Sequence, residues 1–244
     1  MSARRFFVEG VRAAGETVTI TGGDAHKIAH VLRLHAGDGL EIVDSTGTLF
    51  ETTLDAIGET SVRATLQSAS AAPETGLEID VAQAVPKGQK MDFVVEKVTE
   101  LGAHAILPFY SERTIVHDPG TSKRERWHRL AAAAARQCGR RSIPAVQAPC
   151  AFDELLERFG EYDTVLMPWE LAAQVPVLQT LAQTLSGKRR ILVVIGPEGG
   201  FSHREADAAG ERGASLLWLG TRILRTETAA MALLAVIDAW EAAP

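Results

Sequence analysis

Beyond residue 76 the chain alternates two patterns. Continuous apolar runs of strand length cover residues 77–85, 103–109, 162–167, 191–195 and 215–219. Between them lie amphipathic stretches of helical period. Residues 89–101 put Met91, Val94, Val95, Val98 and Leu101 along one side, with Gly102 as stop signal. A second helix is predicted to open at Ser122, with Glu125 completing a capping box. It repeats Trp127, Leu130, Ala131, Ala134, Ala135 and Cys138 at intervals of three and four. Further helices are predicted over 152–159, 173–185, from Ser202 with Glu205 as capping box, and from an N-cap at Thr226. Uninterrupted apolar strands alternating with helices imply a parallel sheet covered on both faces, an α/β fold.

The first 70 residues read differently. Short runs at 5–9, 17–21, 39–44, 48–56 and 61–66 are separated by Gly, Asp and Ser turn signals. Asp24 is predicted to cap one helix over 25–32. Small strands at this spacing suggest a compact barrel. The small, polar stretch 68–76, with Pro73 and Gly76, reads as a linker. Two domains are expected, 1–71 and 72–244.

Size and charge bound the function. A chain of 244 residues with 46% apolar content can bury a substantial core. Its net charge of −6 gives no bulk attraction to nucleic acid. Cys138 and Cys150 form neither a disulfide framework nor a metal spacing; both are expected to be small core residues in a reducing cytoplasm. The N-terminus lacks signal-peptide character and no run approaches the roughly 20 apolar residues that span a bilayer. A soluble protein without membrane or metal is expected.

In parallel sheets, ligands sit outside the carboxyl ends of the strands. Two glycine loops fall there. Gly196-Pro197-Glu198-Gly199-Gly200 follows one predicted strand; glycines allow close backbone approach and positive φ, while proline stiffens the turn. It has neither the Lys-Ser/Thr of a Walker loop nor G-x-G-x-x-G spacing, which disfavours a nucleotide-dependent oxidoreductase. A plain strand-to-helix turn explains it equally well. Its twin, Leu219-Gly220-Thr221-Arg222-Ile223-Leu224-Arg225, follows the next strand and adds weight. There Arg225 stands at a helix start, where a cation opposes the dipole. It is either an ordinary arginine paired with Glu227 or a functional group, and such broken local rules mark sites.

Residues 122–141 carry seven cations, Lys123, Arg124, Arg126, Arg129, Arg136, Arg140 and Arg141, against Glu125 alone. A solvated helix face is the bland explanation, but clustering against the overall sign points to phosphate contacts. Arg4, Arg5, Arg12, Lys27 and Arg33 extend that surface from the small domain. His26 and His30, four apart, lack HExxH company and read as structural or RNA-facing. Glu96 and Glu100 read as solvated charges beside Lys97. Trp169 either lines a pocket or caps the core.

GPEGGFS followed by LGTRILRTETAAMALL resembles the C-terminal signature of the RsmE family, the uridine-N3 methyltransferases of small-subunit ribosomal RNA in the SPOUT superfamily. Arg5-Phe6-Phe7, His30-Val-Leu-Arg33 with Gly37-Asp38, Lys97-Val-Thr-Glu-Leu-Gly102, Ser111-Glu112-Arg113 and Arg136-Gln-Cys-Gly-Arg140 agree in the same order. The resemblance implies a PUA-like N-terminal β-barrel, a C-terminal SPOUT-type parallel sheet with a deep trefoil knot, and a homodimer acting on 16S ribosomal RNA within the small subunit. It implies S-adenosylmethionine as donor, held by Leu166, Met167 and Pro168, by Gly196, Pro197, Glu198, Gly199 and Gly200, and by Leu219, Gly220, Ile223, Leu224 and Arg225. Arg225 is the candidate for stabilising charge on the base, and Glu198 is either a base or a residue shaping the donor loop. Arg4, Arg5, Lys27, Arg33, Arg136, Arg140 and Arg141 are the candidate RNA contacts. Ribose 2′-O-methylation is the nearest rival reaction, and a non-catalytic RNA binder the rival class.

Overall fold

The computed structural model describes residues 4–71, 76–115 and 120–242. Contacts divide the chain into two compact units, Met1–Glu74 with Ala135–Ser142, and Thr75–Ala134 with Ile143–Pro244. The expected boundary between 71 and 72 falls at residues 72–75, which lie outside the described residues.

The small unit is built on β1 (Arg5–Phe7), β2 (Thr17–Thr21), α1 (Gly22–His26), β3 (Gly39–Val43), β4 (Leu49–Ile57) and β5 (Ser61–Ser70). The five strands form one sheet in the order β1-β3-β4-β5-β2. β1 and β3 run parallel, and the other three pairings are antiparallel. Burial alternates along β2 and β5, so Val18, Ile20, Val62, Ala64 and Leu66 turn one face inward onto Phe6, Ile28, Ile42 and Phe50. This one-sided pattern is what an antiparallel sheet with one solvated face requires.

Asp24 does not cap the helix. Gly22, at φ +64°, turns the chain straight out of β2, so α1 starts three residues earlier and Thr21 is its cap. The following residues, Lys27–Val31, continue as a π-helical turn.

The large unit comprises β6 (Glu78–Ala84), α2 (Lys90–Glu100), β7 (Ala105–Tyr110), α3 (Gly120–Cys138), β8 (Ala145–Val146), β9 (Cys150–Ala151), α4 (Phe152–Glu157), β10 (Thr164–Pro168), α5 (Val177–Thr184), β11 (Arg190–Ile195), α6 (His203–Glu211), β12 (Ala214–Leu217) and α7 (Thr226–Glu241). The last turns of α3 cluster with the small unit. The sheet order is β12-β10-β11-β6-β7-β8, with β9 also on β7, and every pairing is parallel.

Side-chain alternation along the strands feeds two cores. Val81, Ile106, Leu166, Ile191, Val193 and Ile195 face α2, α5 and α7. Ala82, Leu107, Val165, Met167, Leu192 and Val194 face α4, α6 and the ring of Phe201. Both faces are covered, which explains the unbroken apolar runs. Each fully buried Leu, Ile or Val contributes about 1.5–3 kcal/mol relative to exposure.

Three local expectations need correction. α3 is already helical at Ser122, so Ser122 and Glu125 are not its cap. α5 begins only after Pro176, because proline lacks the N–H and restricts the residue before it. Cys138 ends α3 on its exposed side rather than in the core, and Cys150 is partly buried. Among the described residues, no helix is long and apolar enough to cross a membrane.

Candidate active site

β12, β10 and β11 are neighbours with a common direction, so their three following loops leave the same end of the sheet. The backbone N–H of Trp169 donates to the Leu217 carbonyl (2.9 Å), tying the ends of β10 and β12 together. The structure therefore brings the three predicted loops to one place. Leu166 and Met167 themselves point into the two cores and are fully buried, so only backbone is offered from that stretch. Pro168 is half-buried at the strand end.

The loop after β11 rests on an aromatic floor. A Cβ at Gly196 would lie 2.9 Å from the Phe201 ring, which is itself wedged between Phe109 and Phe152. Gly200 closes a turn onto the Pro197 carbonyl (3.0 Å) at φ +66°. A Cβ there would also meet the Glu170 carboxylate at 2.8 Å. Both positions accept glycine for a steric reason.

Residues far away in sequence hold this loop. Arg113 Nη1 donates to the Gly199 carbonyl (2.8 Å). Glu205 accepts from Ser202 N (2.9 Å) while Ser202 Oγ accepts from Glu205 N (3.3 Å), the capping box expected for α6. The other oxygen of the buried Glu205 accepts from Glu112 N (2.8 Å). Hydrogen bonds from Ser202 and Arg204 hold the Glu112 carboxyl below its usual range. Ser111-Glu112-Arg113 is thus a clamp on the glycine loop, a role that the motif alone did not reveal.

Glu198 points back toward α2. Its Oε1 accepts from Lys90 Nζ (3.0 Å) and from the Lys87 backbone N–H (3.1 Å). Burial works to raise its pKa, but the Lys90 bond, the Glu198 and Lys87 amides and the Lys90 charge together lower it. Lys90 also lies 3.9 Å from Glu227 Oε2, so it stands between two carboxylates.

At the third loop, Gly220 adopts φ +110° and Ile223 is 89% exposed. Leu219 and Leu224 are half-buried. Helix α7 starts one residue earlier than expected: Arg225 is its N-cap, its carbonyl accepting from Ala229 N (2.8 Å), and Thr226 is the first helical residue. The Thr226 hydroxyl is drawn away from capping because it donates to the Gly196 carbonyl (2.6 Å) and accepts from Gln83 Nε2 (2.8 Å). Arg225 is exposed, and its guanidinium has no hydrogen-bond or ion-pair partner among the described residues; Glu227 faces Lys90 instead.

Gln83 was missed in the sequence. It occupies the core face shared by Ile79 and Val81, where the alternation calls for an apolar residue, and it is fully buried. Its Oε1, like Trp169 Nε1, is buried with no hydrogen-bond partner among the described residues. Trp169 packs edge-on against His203 at 5.3 Å.

The seven candidate RNA cations all fall in the small unit. Several are engaged within it. Arg5 pairs with Glu41 (2.7 Å) and donates to the carbonyls of Gly139 and Arg140. Arg136 meets Asp24 (3.5 Å), Arg141 bonds the Ala71 carbonyl (2.6 Å), and Arg140 reaches Ser142 Oγ (3.3 Å). Arg4, Lys27 and Arg33 are exposed, Lys27 lying over the Phe6 ring (5.9 Å). Arg33 adopts φ +52°.

Comparisons with known proteins bear on this site. A family model described as RNA methyltransferase domain matches residues 73–238. The chain is 31% identical to ribosomal RNA small subunit methyltransferase E of Bacillus subtilis, covering 96% of each. It is 32% identical to the Synechocystis protein of that name, over 97% of this chain and 78% of the other. The crystal structure of a ribosomal RNA small subunit methyltransferase E from Neisseria gonorrhoeae bound to S-adenosyl methionine superimposes with a TM-score of 0.86. That likeness holds at 28% identity, covering 97% of each chain. The chain belongs to the ribosomal RNA small subunit methyltransferase E family.

Proposed function

We propose that this chain transfers a methyl group from S-adenosylmethionine to N3 of a uridine in 16S ribosomal RNA of the small subunit. The observation that carries the reading is the convergence of three loops at the carboxyl ends of β10, β11 and β12, in a family whose Neisseria gonorrhoeae member was solved with that donor. The residues present suit such a ligand. Gly196, Gly199 and Gly200 let the loop pack directly on Phe201, Arg113 and Glu170, which holds its backbone in a fixed shape, and apolar residues flank the loops. Two buried polar atoms, Gln83 Oε1 and Trp169 Nε1, await partners beside them.

The bound donor supplies an electrophilic methyl group on a sulfonium. Uracil N3 carries a proton and is a poor nucleophile until that proton passes to water at the open side of the site. As it leaves, negative charge spreads onto O2 and O4. Arg225 is assigned to that charge: it is exposed, has no ion-pair partner among the described residues and stands at the end of the third loop. Glu198 is assigned to holding the donor loop rather than to proton transfer, because a carboxylate bonded to Lys90 with a lowered pKa is a weak base.

The domain line drawn at 71/72 is read as an RNA-binding domain followed by a catalytic one. The five-stranded sheet of the small unit supports a PUA-like barrel. Entry of β11 between β10 and the earlier β6 supports a SPOUT-type trefoil knot, in which a late segment threads an earlier loop. Exposed Leu171 and Ile223, on the loops after β10 and β12, support a homodimer meeting near the donor site. The expected place of action is the cytoplasm, where ribosomal RNA resides.

The test is transfer of labelled methyl from S-adenosylmethionine into small-subunit ribosomal RNA, followed by nucleoside digestion and mass spectrometry. Label in 3-methyluridine is expected. Label on ribose 2′-O would establish the rival reaction, and absence of transfer to both naked RNA and assembled subunits would sink the enzymatic reading.

A further inference from the structure

A cavity of about 180 Å³ lies beside the turn between β6 and α2. Its apolar wall is Pro86, Met91 and Trp127, and its polar rim is Asp92, Lys123 and Arg126. Drug-sized ligands need roughly 300–1,000 Å³, so this space suits a single flat ring. The rim is cationic on balance. Arg126 Nε is bonded to Asp92 Oδ2 (2.7 Å), which leaves both its Nη groups available, and Lys123 is exposed with no ion-pair partner among the described residues. An apolar slot with cations at its edge is complementary to a nucleotide, whose base is flat and whose phosphate is anionic.

We propose that this cavity takes one nucleotide of the RNA substrate, its base against the Pro86–Trp127 wall and its phosphate on Lys123 and Arg126. This rests on the reading of the chain as an RNA methyltransferase. The cavity is not the donor site, but it adjoins it: Lys87, between two of the lining residues, bonds Glu198 of the glycine loop through its backbone. The nucleotide held here is therefore a neighbour of the methylated one. Asp92, in the rim, supplies a carboxylate acceptor for base N–H groups.

The test measures binding of small-subunit ribosomal RNA at several salt concentrations, with S-adenosylmethionine affinity and thermal melting as controls. Lys123→Gln and Arg126→Gln are each expected to weaken RNA binding several-fold and to lower the salt slope by about one. Gln89→Trp fills the cavity without changing charge; it is expected to weaken RNA binding several-fold at an unchanged slope. Donor affinity and melting stay as in the unsubstituted chain. If Gln89→Trp binds RNA normally, or the two charge variants keep the full slope, the subsite is wrong while the methyltransferase reading stands. An unsubstituted chain that binds donor but no ribosomal RNA overturns both.

Discussion

Gln83 Nε2 donates to Thr226 Oγ1 at 2.8 Å, joining two residues 143 positions apart at the point where β6, the glycine loop and α7 meet. Thr226 passes the contact on to the Gly196 carbonyl at 2.6 Å. Thr226→Val keeps the shape and removes both bonds, leaving the Gln83 amide hydrogen and the Gly196 oxygen without partners. Buried unsatisfied groups cost about 1–3 kcal/mol each, so a loss of about 2–6 kcal/mol is expected in denaturant unfolding. Gln83→Met removes the bonds to Thr226 and to the Ala84 carbonyl (3.0 Å) but also the unpartnered Oε1, and should cost about 1 kcal/mol. Equal destabilisation by the two variants would contradict this account of the junction.

The lowered Glu198 pKa has a definite sign. Its carboxyl binds fewer protons in the folded state than in the unfolded state. Its contribution is therefore complete above the ordinary glutamate value near 4.3 and lost as pH falls through the lower folded value. S-adenosylmethionine affinity is expected to be insensitive to this group between about pH 6 and 8 and to decline only in acid. Glu198→Gln should weaken donor binding while the pH–rate profile keeps any titrating step. Disappearance of such a step would make Glu198 the base after all.

Arg225 caps α7 although its side chain cannot accept a hydrogen bond from the helix. Loss of one donor aimed at developing charge typically costs 10²–10³ in kcat. Arg225→Ala is expected to lower kcat by about that factor while calorimetric affinities for donor and RNA hold within about twofold. Stability should not fall, since removing a cation from a helix N-terminus is favourable. Near-normal turnover would remove Arg225 from the mechanism.

Arg33 sits at φ +52° on the exposed surface of the small unit. A left-handed non-glycine residue costs on the order of 1–3 kcal/mol, which suggests that its side chain is retained for binding. Arg33→Gly should leave the melting temperature unchanged or raised, yet weaken RNA binding. Arg5→Ala should do the reverse and chiefly destabilise, because Arg5 serves Glu41 and two carbonyls. Matched effects of the two substitutions on RNA affinity would refute this division between contact and structural arginines.

Much of the fold was legible because its signals are local. The apolar runs that became β6, β7, β10, β11 and β12 read as strands because strands buried on both faces need no alternation. The capping box at Ser202 and Glu205 read correctly for the same reason. Caps at Asp24, Ser122 and Thr226 were misplaced: Ser122 lies inside α3, and the other two side chains have distant partners. Asp24 meets Arg136, and Thr226 bridges Gln83 and Gly196. The two-residue strands β8 and β9 carry too few positions to show a pattern. Placement of β11 between β10 and β6 is a long-range choice that no window of sequence records. The clamps from Arg113 and Glu205 span 86 and 93 residues and were invisible for that reason. Gln83 alone left a trace, as a polar residue on a face of Ile79 and Val81.

A crystal structure with bound S-adenosylmethionine tests the central claim most directly. The account predicts the adenosine and sulfonium lying against the backbone of residues 166–168, 196–200 and 219–225, with Arg225 at the open side next to the methyl group. Electron density for the ligand in any other cleft, with those three segments bare, would contradict it.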